Sequence, residues 1–188
     1  MYPNLGVDDD QANAFARLPP LVAALAGSPR LSAAVVEMVT TTQRNSLAAG
    51  SGLAAARVLE LCVLGKNTPA EAVRVAADAM GASPGSEALR LAISLQRESH
   101  ADAVAELGRH CHLPASLASA LHGVLTHTEY AAAVRDTILQ GGCNASRAGF
   151  IGACFAASQG ASAIPAAWCS QCASYERTAA QAAWVTAG

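Results

Sequence analysis

Gly141-Gly142-Cys143-Asn144-Ala145-Ser146-Arg147-Ala148-Gly149-Phe150-Ile151-Gly152-Ala153 is the stretch on which the reading of the fold turns. A helical run ends at a double glycine, the chain turns sharply, and small or polar residues open a new helix made almost wholly of small and apolar groups. The first N–H groups of that helix have no partner within it and point at whatever occupies the turn. An anion, a ribose hydroxyl or a metal-bound oxygen can be held in such a place. The same residues also read as an ordinary helix–helix corner whose glycines serve tight backbone geometry. Both readings stand on these residues alone.

Outward from this corner, nearly every segment repeats at the helical period and none shows the alternation of a strand. Helices are predicted at about 10–27, 31–43, 45–65, 69–80, 85–96, 100–110, 114–125, 128–140, 144–159 and 165–183. Gly65 stops one of them, and Asn67-Thr68-Pro69-Ala70-Glu71 starts the next with an N-cap, a proline in the first turn and an acid against the dipole. Gly81-Ala82-Ser83-Pro84-Gly85-Ser86 is a turn cluster, and Leu113-Pro114 and Ile164-Pro165 each begin a helix after an extended residue. Within 129–139, Tyr130, Val134, Ile138 and Leu139 are expected on one inward face, with Arg135 and Asp136 outward. Many short helices joined by tight turns predict an all-α orthogonal multi-helix bundle. No internal repeat, low-complexity linker or composition shift divides residues 1–188, so one domain is expected.

Composition narrows the function classes. Twelve Lys and Arg oppose 14 Asp and Glu, a net charge of -2, which gives no general electrostatic reason to bind nucleic acid or an anionic membrane. With 52% hydrophobic and 14% charged residues the chain lies outside the disordered class, although much of the apolar content is alanine, a strong helix former that buries little area. Arg57 and Glu60 interrupt the most apolar helix, so no membrane span is expected. Met1-Tyr2-Pro3-Asn4 is neither basic nor apolar, and the six cysteines are scattered through helical patterns. Reduced thiols and a cytoplasmic location are the expectation.

Residues 130–168, from Tyr130 through the double glycine to Ala163-Ile164-Pro165-Ala166-Ala167-Trp168, resemble the C-terminal signature of the ADP-ribosylglycohydrolase family, especially its J-type crystallin and selenoprotein J subgroup. Thr41-Thr42-Gln43-Arg44-Asn45, with Ala48 and Ala54-Ala55-Ala56-Arg57-Val58-Leu59-Glu60, resembles the family's Thr-His or Thr-Gln helix. Arg17-Leu18-Pro19-Pro20-Leu21 resembles its Arg-x-x-Pro-Leu element. The matches run in the family's order over most of the chain. The resemblance implies the C-terminal portion of an all-α domain whose active members bind two magnesium ions and cleave the bond between ADP-ribose and its acceptor, with ADP-ribose or an ADP-ribosylated protein as partner.

The resemblance also marks departures. Active members hold metal partly through Asp-x-Asp-Thr/Ser after the double glycine, oxygen donors suited to a hard cation. Here the aligned positions are Cys143, Ala145 and Ser146, so both carboxylates are absent, and a thiol is a soft ligand with little affinity for magnesium. Ser146 and Cys143 are thus the residual metal-side groups, Asn144 and Gln43 the ligand-contact candidates, and no catalytic residue is assigned. Loss of hydrolysis and of bound magnesium is expected, with a non-catalytic structural or binding role as the alternative. The family's upstream Thr/Ser-Asp-Asp group has no counterpart before Arg17; Asp8-Asp9-Asp10 lacks the preceding hydroxyl and is expected to open a helix instead.

Other candidate chemistry is thinner. Cys169-Ser170-Gln171-Cys172 lacks the second pair of a zinc site and the strand context of a thioredoxin-type site, which leaves ordinary cysteines. His110, His112, His122 and His127 do not share a helix face by spacing, so surface or capping roles are expected. No serine sits in Gly-x-Ser-x-Gly, and the glycines fit neither the dinucleotide fingerprint nor the phosphate loop.

Overall fold

The computed structural model describes residues 6–186, so the opening tetrapeptide Met1–Asn4 lies outside the described residues. The helices are α1 (Asn13–Ala16), α2 (Leu18–Leu25), α3 (Leu31–Thr40), α4 (Ser46–Val63), α5 (Pro69–Met80), α6 (Ser86–Ser94), α7 (His100–Leu107), α8 (Ala115–Thr126), α9 (Tyr130–Leu139), α10 (Asn144–Gln159), α11 (Ala166–Gln171) and α12 (Tyr175–Thr186), with a 3-10 turn at Ala161–Ala163. Among the described residues no sheet forms; two isolated bridges join Val7 to Gln43 and Gln11 to His112. The all-α class follows.

Local chemistry sets the starts. Asn45 takes extended backbone and its side chain accepts from the N–H groups of Leu47 and Ala48, capping α4. Thr68 and Glu71 form a reciprocal capping box on α5, and these bonds hold the Glu71 carboxyl below its usual pKa. Ser99 caps α7 by accepting from Asp102 N–H.

Three expectations change. The helix expected over 10–27 breaks at Arg17 into α1 and α2, because Pro19 and Pro20 have no N–H to continue a ladder yet fit a first turn. The helix expected over 165–183 is interrupted where Cys172 turns extended, and α12 restarts beyond it, with Ser174 C=O accepting from Thr178 N–H. On α9 the buried positions are Ala133, Val134 and Thr137, whereas Ile138 and Leu139 are 48% and 81% exposed. The apolar face was placed too far along the helix: α7, α8 and α10 pack on α9, and the last-turn residues Ile138 and Leu139 stay exposed.

Helix α4 is the centre. It packs against α1, α2, α3, α5, α6 and α10, while α8 forms a second hub among α5, α6, α7 and α10. Among the described residues only α4 is long and apolar enough to cross a membrane, and two-thirds of it is buried within the fold. Its Glu60 carboxylate accepts from Gly27 N–H at 2.9 Å and pairs with Arg57 at 2.7 Å, tying the turn after α2 to the core helix. The core is thin: Ala48, Ala54, Ala55, Ala56, Ala118 and Ala120 are among its buried residues, with Phe15 and Phe150 meeting edge to face at 5.7 Å.

Small residues permit this closeness. At the α4–α6 junction a Cβ on Gly85 would overlap the Gly50 carbonyl, and one on Gly50 would lie 2.8 Å from Gly85 N. Backbone meets backbone there, so nothing flexible can yield. Gly85→Ala is therefore expected to destabilise the fold by about 2–3 kcal/mol in urea unfolding, with an unchanged m-value.

Candidate functional site

Helix α9 ends in two left-handed residues, Gly141 (φ 69°) and Gly142 (φ 62°), and α10 begins two residues later. A side chain at Gly142 would collide with the Arg109 carbonyl, so the corner lies directly on the backbone of the α7–α8 connection. Cys143 N–H donates to that same carbonyl at 2.8 Å. The free N–H groups anticipated at the start of α10 are thus partly spent: Cys143 uses Arg109, and Asn144 N–H turns back to Gly142 C=O at 2.8 Å.

The structure brings Cys143, Asn144 and Ser146 together at this corner. The Cys143 thiol donates to Ser146 Oγ at 3.5 Å across one helical turn, Asn144 Nδ2 donates to the Ile138 carbonyl at 3.2 Å, and Ala145 is exposed. Beneath them lies Arg147, the largest fully buried side chain. Its Nη2 donates to the Gly141 carbonyl, while Nε and Nη1 have no partner. Burial depresses its pKa, opposed by Cys143 and reinforced by Arg109. Sequence reasoning had no reason to single it out, since an arginine in the first turn of a helix ordinarily points to water.

Gln43 sits elsewhere. Its Nε2 donates to the Asp9 carboxylate at 3.0 Å and to the Gln11 carbonyl at 3.0 Å, and its buried Oε1 has no partner. It latches a strap, residues 7–12, that also pairs Val7 with Thr42 and Arg44. The acidic triplet does not open α1, whose first turn holds no acid. The three carboxylates instead take separate partners: Asp8 receives Asn45 Nδ2 at 2.8 Å, Asp9 receives Gln43, and Asp10 meets the His112 ring at 2.6 Å and raises its pKa. Because Asp10 C=O also accepts from Leu113 N–H, the strap and the corner meet on the connection 108–113 rather than touching through Gln43.

Behind this connection His100, His122 and His127 gather; of the surface or capping roles expected, His127 takes a capping one, as C-cap of α8 with Nδ1 on the Gly123 carbonyl, while His122 is buried. The rings of His100 and His122 stack with centroids 5.4 Å apart and Nδ1 atoms 3.1 Å apart, and His127 stands edge-on to His100 at 5.6 Å. His127 reaches them because it lies just past the end of α8 in extended backbone, off the helical spacing. His122 Nε2 faces the Leu95 carbonyl, which can only accept; in the neutral ring its Nδ1 is then the acceptor and His100 Nδ1 the donor. His100 Nε2 is left unpartnered, and burial first, then His122, brings the His100 pKa down to about 4. His110 and the exposed His112 remain on the surface side, as expected.

Among the described residues no group of three His, Cys, Asp or Glu side chains is arranged to hold a metal ion. All six cysteines are free, and Cys169 and Cys172 face different partners, Tyr175 and Ser174.

An all-α bundle whose double-glycine corner opens its longest late helix, with an Arg-x-x-Pro-Leu element on α2, defines a class that comparison identifies. A family model described as ADP-ribosylglycohydrolase matches residues 3–187, and the chain belongs to that family. Crystallin J1A of Tripedalia cystophora is 34% identical over 166 residues, which cover 88% of this chain and 51% of that protein. Crystallin J1B of the same organism is 30% identical over 169 residues, with the same coverage. The chain spans about half the length of the curated relatives it matches.

Two outcomes follow from this geometry. His100 carries a folded pKa near 4, below the unfolded value of 6.5, so its stabilising neutral form is fully present above pH 6.5 and is lost as pH falls toward 4. Asp136 opposes the shift, while His122, His127 and Arg147 reinforce burial. The His100 contribution to the unfolding free energy should fall by roughly 3 kcal/mol across that window, and His100→Gln should remove that part of the pH dependence. Gly142→Ala, facing both a positive φ and the Arg109 carbonyl, should cost about 2 kcal/mol or more in thermal unfolding.

Proposed function

We propose that this chain keeps the family's scaffold without its magnesium-dependent hydrolysis of ADP-ribosyl bonds. One observation carries the reading. Where active relatives place Asp-x-Asp-Thr/Ser, this corner offers a thiol that donates to Ser146 Oγ, a methyl group at Ala145 and, directly beneath, the buried guanidinium of Arg147. Magnesium requires a near-octahedral shell of oxygens and carries two positive charges. A donor set with one hydroxyl, beside a fixed cation in a low-dielectric interior, supplies neither the ligands nor the potential. The residues do not fit the ion.

The partner retained in this reading is ADP-ribose or an ADP-ribosylated protein, supported by family membership. Asn144 and Ser146 face the corner, while Gln43 acts through the strap as a positioning residue. The relatives named as crystallins favour a structural or binding role for a non-catalytic branch. A reducing cytoplasm suits the six free thiols.

The test is release of free ADP-ribose from an ADP-ribosylated protein by the folded chain, with magnesium and with chelator, alongside ADP-ribose binding by calorimetry. The expected result is no release above buffer and an ADP-ribose affinity equal in the two conditions. Magnesium-dependent release, or binding that chelator abolishes, contradicts the proposal.

A further inference from the structure

The six free cysteines include three neighbouring pairs, and their surroundings separate them. Cys62 and Cys154 face each other but are buried, out of reach of a dissolved oxidant. Cys169 and Cys172 are accessible but turned toward Tyr175 and Ser174. Cys111 and Cys143 are both half-buried, and across the junction of the α7–α8 connection with the α9–α10 corner the Cys143 side chain is the partner of the Cys111 thiol, a contact that together with burial raises the Cys111 pKa. That junction is held by backbone: Cys143 N–H donates to Arg109 C=O, two residues before Cys111. That bond holds the two backbones together two residues from Cys111 and keeps the Cys143 side chain beside the Cys111 thiol.

A second observation marks the place. Arg147 is wholly buried, two of its three nitrogens have no hydrogen-bond partner, and both Cys143 and Cys111 interact electrostatically with its guanidinium. This buried, underpaired cation works against the net rise of the Cys111 pKa and stabilises negative charge that develops on sulfur or on a leaving oxygen during oxidation.

We infer that Cys111 and Cys143 are a reversible dithiol–disulfide pair whose oxidant is a small peroxide. In the first step one thiol sulfur attacks the peroxide, the O–O bond breaks, and the cysteine becomes a sulfenic acid as hydrogen peroxide is reduced to one water. In the second, the other thiol attacks the sulfenic sulfur, the S–O bond breaks, a second water leaves, and the S–S bond forms. Overall two thiols lose two hydrogens and one peroxide yields two waters. The disulfide closes a loop over residues 112–142 and ties the connection that carries His112, and through Asp10 the strap, to the start of α10. This goes beyond the loss of hydrolysis and holds whether or not ADP-ribose binds.

The experiment treats the reduced full chain with stoichiometric hydrogen peroxide and maps its peptides without reductant. A peptide joining Cys111 to Cys143 is expected, with a Tm raised by roughly 5–10 °C, both reversed by dithiothreitol. Cys111→Ser and Cys143→Ser should each abolish the link, and the double change Cys169→Ser with Cys172→Ser should leave it intact. Differential alkylation of the unmutated chain provides a readout independent of variant folding: Cys111 and Cys143 should lose reactivity together. A link confined to Cys169 and Cys172, or Cys143 oxidised to sulfinic acid while Cys111 stays alkylatable, overturns the inference.

Discussion

A guanidinium with no carboxylate beside it, buried under a helix corner, is the constraint from which the rest of this site follows. Arg147 donates to the Gly141 carbonyl, which fixes the end of α9 on the start of α10. Removing that donor would strand a carbonyl in the interior; removing the carbonyl's geometry would strand a charge. The left-handed glycines, the contact with Arg109 and the placement of Cys143 above the cation are consequences of the same packing. In the proposed reading, charge decides the chemistry at the corner: sulfur and hydroxyl sit beside the guanidinium where a dication would be repelled.

The scaffold that presents the corner is built from closeness rather than bulk. Glycine lets α4 approach its neighbour at backbone distance, and on α8 Gly123 leaves room for the Ile151 and His100 side chains, so burial per residue is small and depends on many short contacts. Large buried side chains are few, and several sit near the site: Phe15 against Phe150, and the His100–His122 stack behind the α7–α8 connection. Polar ties replace missing apolar mass. Glu60 anchors the turn after α2, and Gln43 with the three aspartates anchors the strap.

The sequence spoke most clearly where chemistry is local. The capping box at Thr68, the prolines opening helices and the double glycine all act within a few residues, and α5 and α10 fall where the pattern placed them. The family's ordered elements pointed to the same bundle. Reading failed where partners are distant in sequence. Asp8-Asp9-Asp10 looks like a helix start until Gln43, Asn45 and His112, all more than 30 residues away, claim the carboxylates. His127 joins His100 only because the helix carrying His122 ends before it. Arg147 carries no sign of its burial, because nothing in its own helix says that Arg109 and the glycine corner close over it. Cys143 and Ser146 were named through the resemblance to the family's Asp-x-Asp-Thr/Ser, and one helical turn brings them together; Gln43, a ligand-contact candidate from the same resemblance, makes its bonds to the strap.

The claim that a cation already occupies this corner, in the form of Arg147, has a direct test. Crystals of the chain soaked in manganese, a divalent ion with magnesium's preference for oxygen and a strong anomalous signal, would show where such ions lodge. The account predicts no anomalous peak within coordinating distance of Ser146 Oγ and an Arg147 side chain still bonded to Gly141. A pair of ordered ions beside Ser146, with the guanidinium displaced, would contradict it.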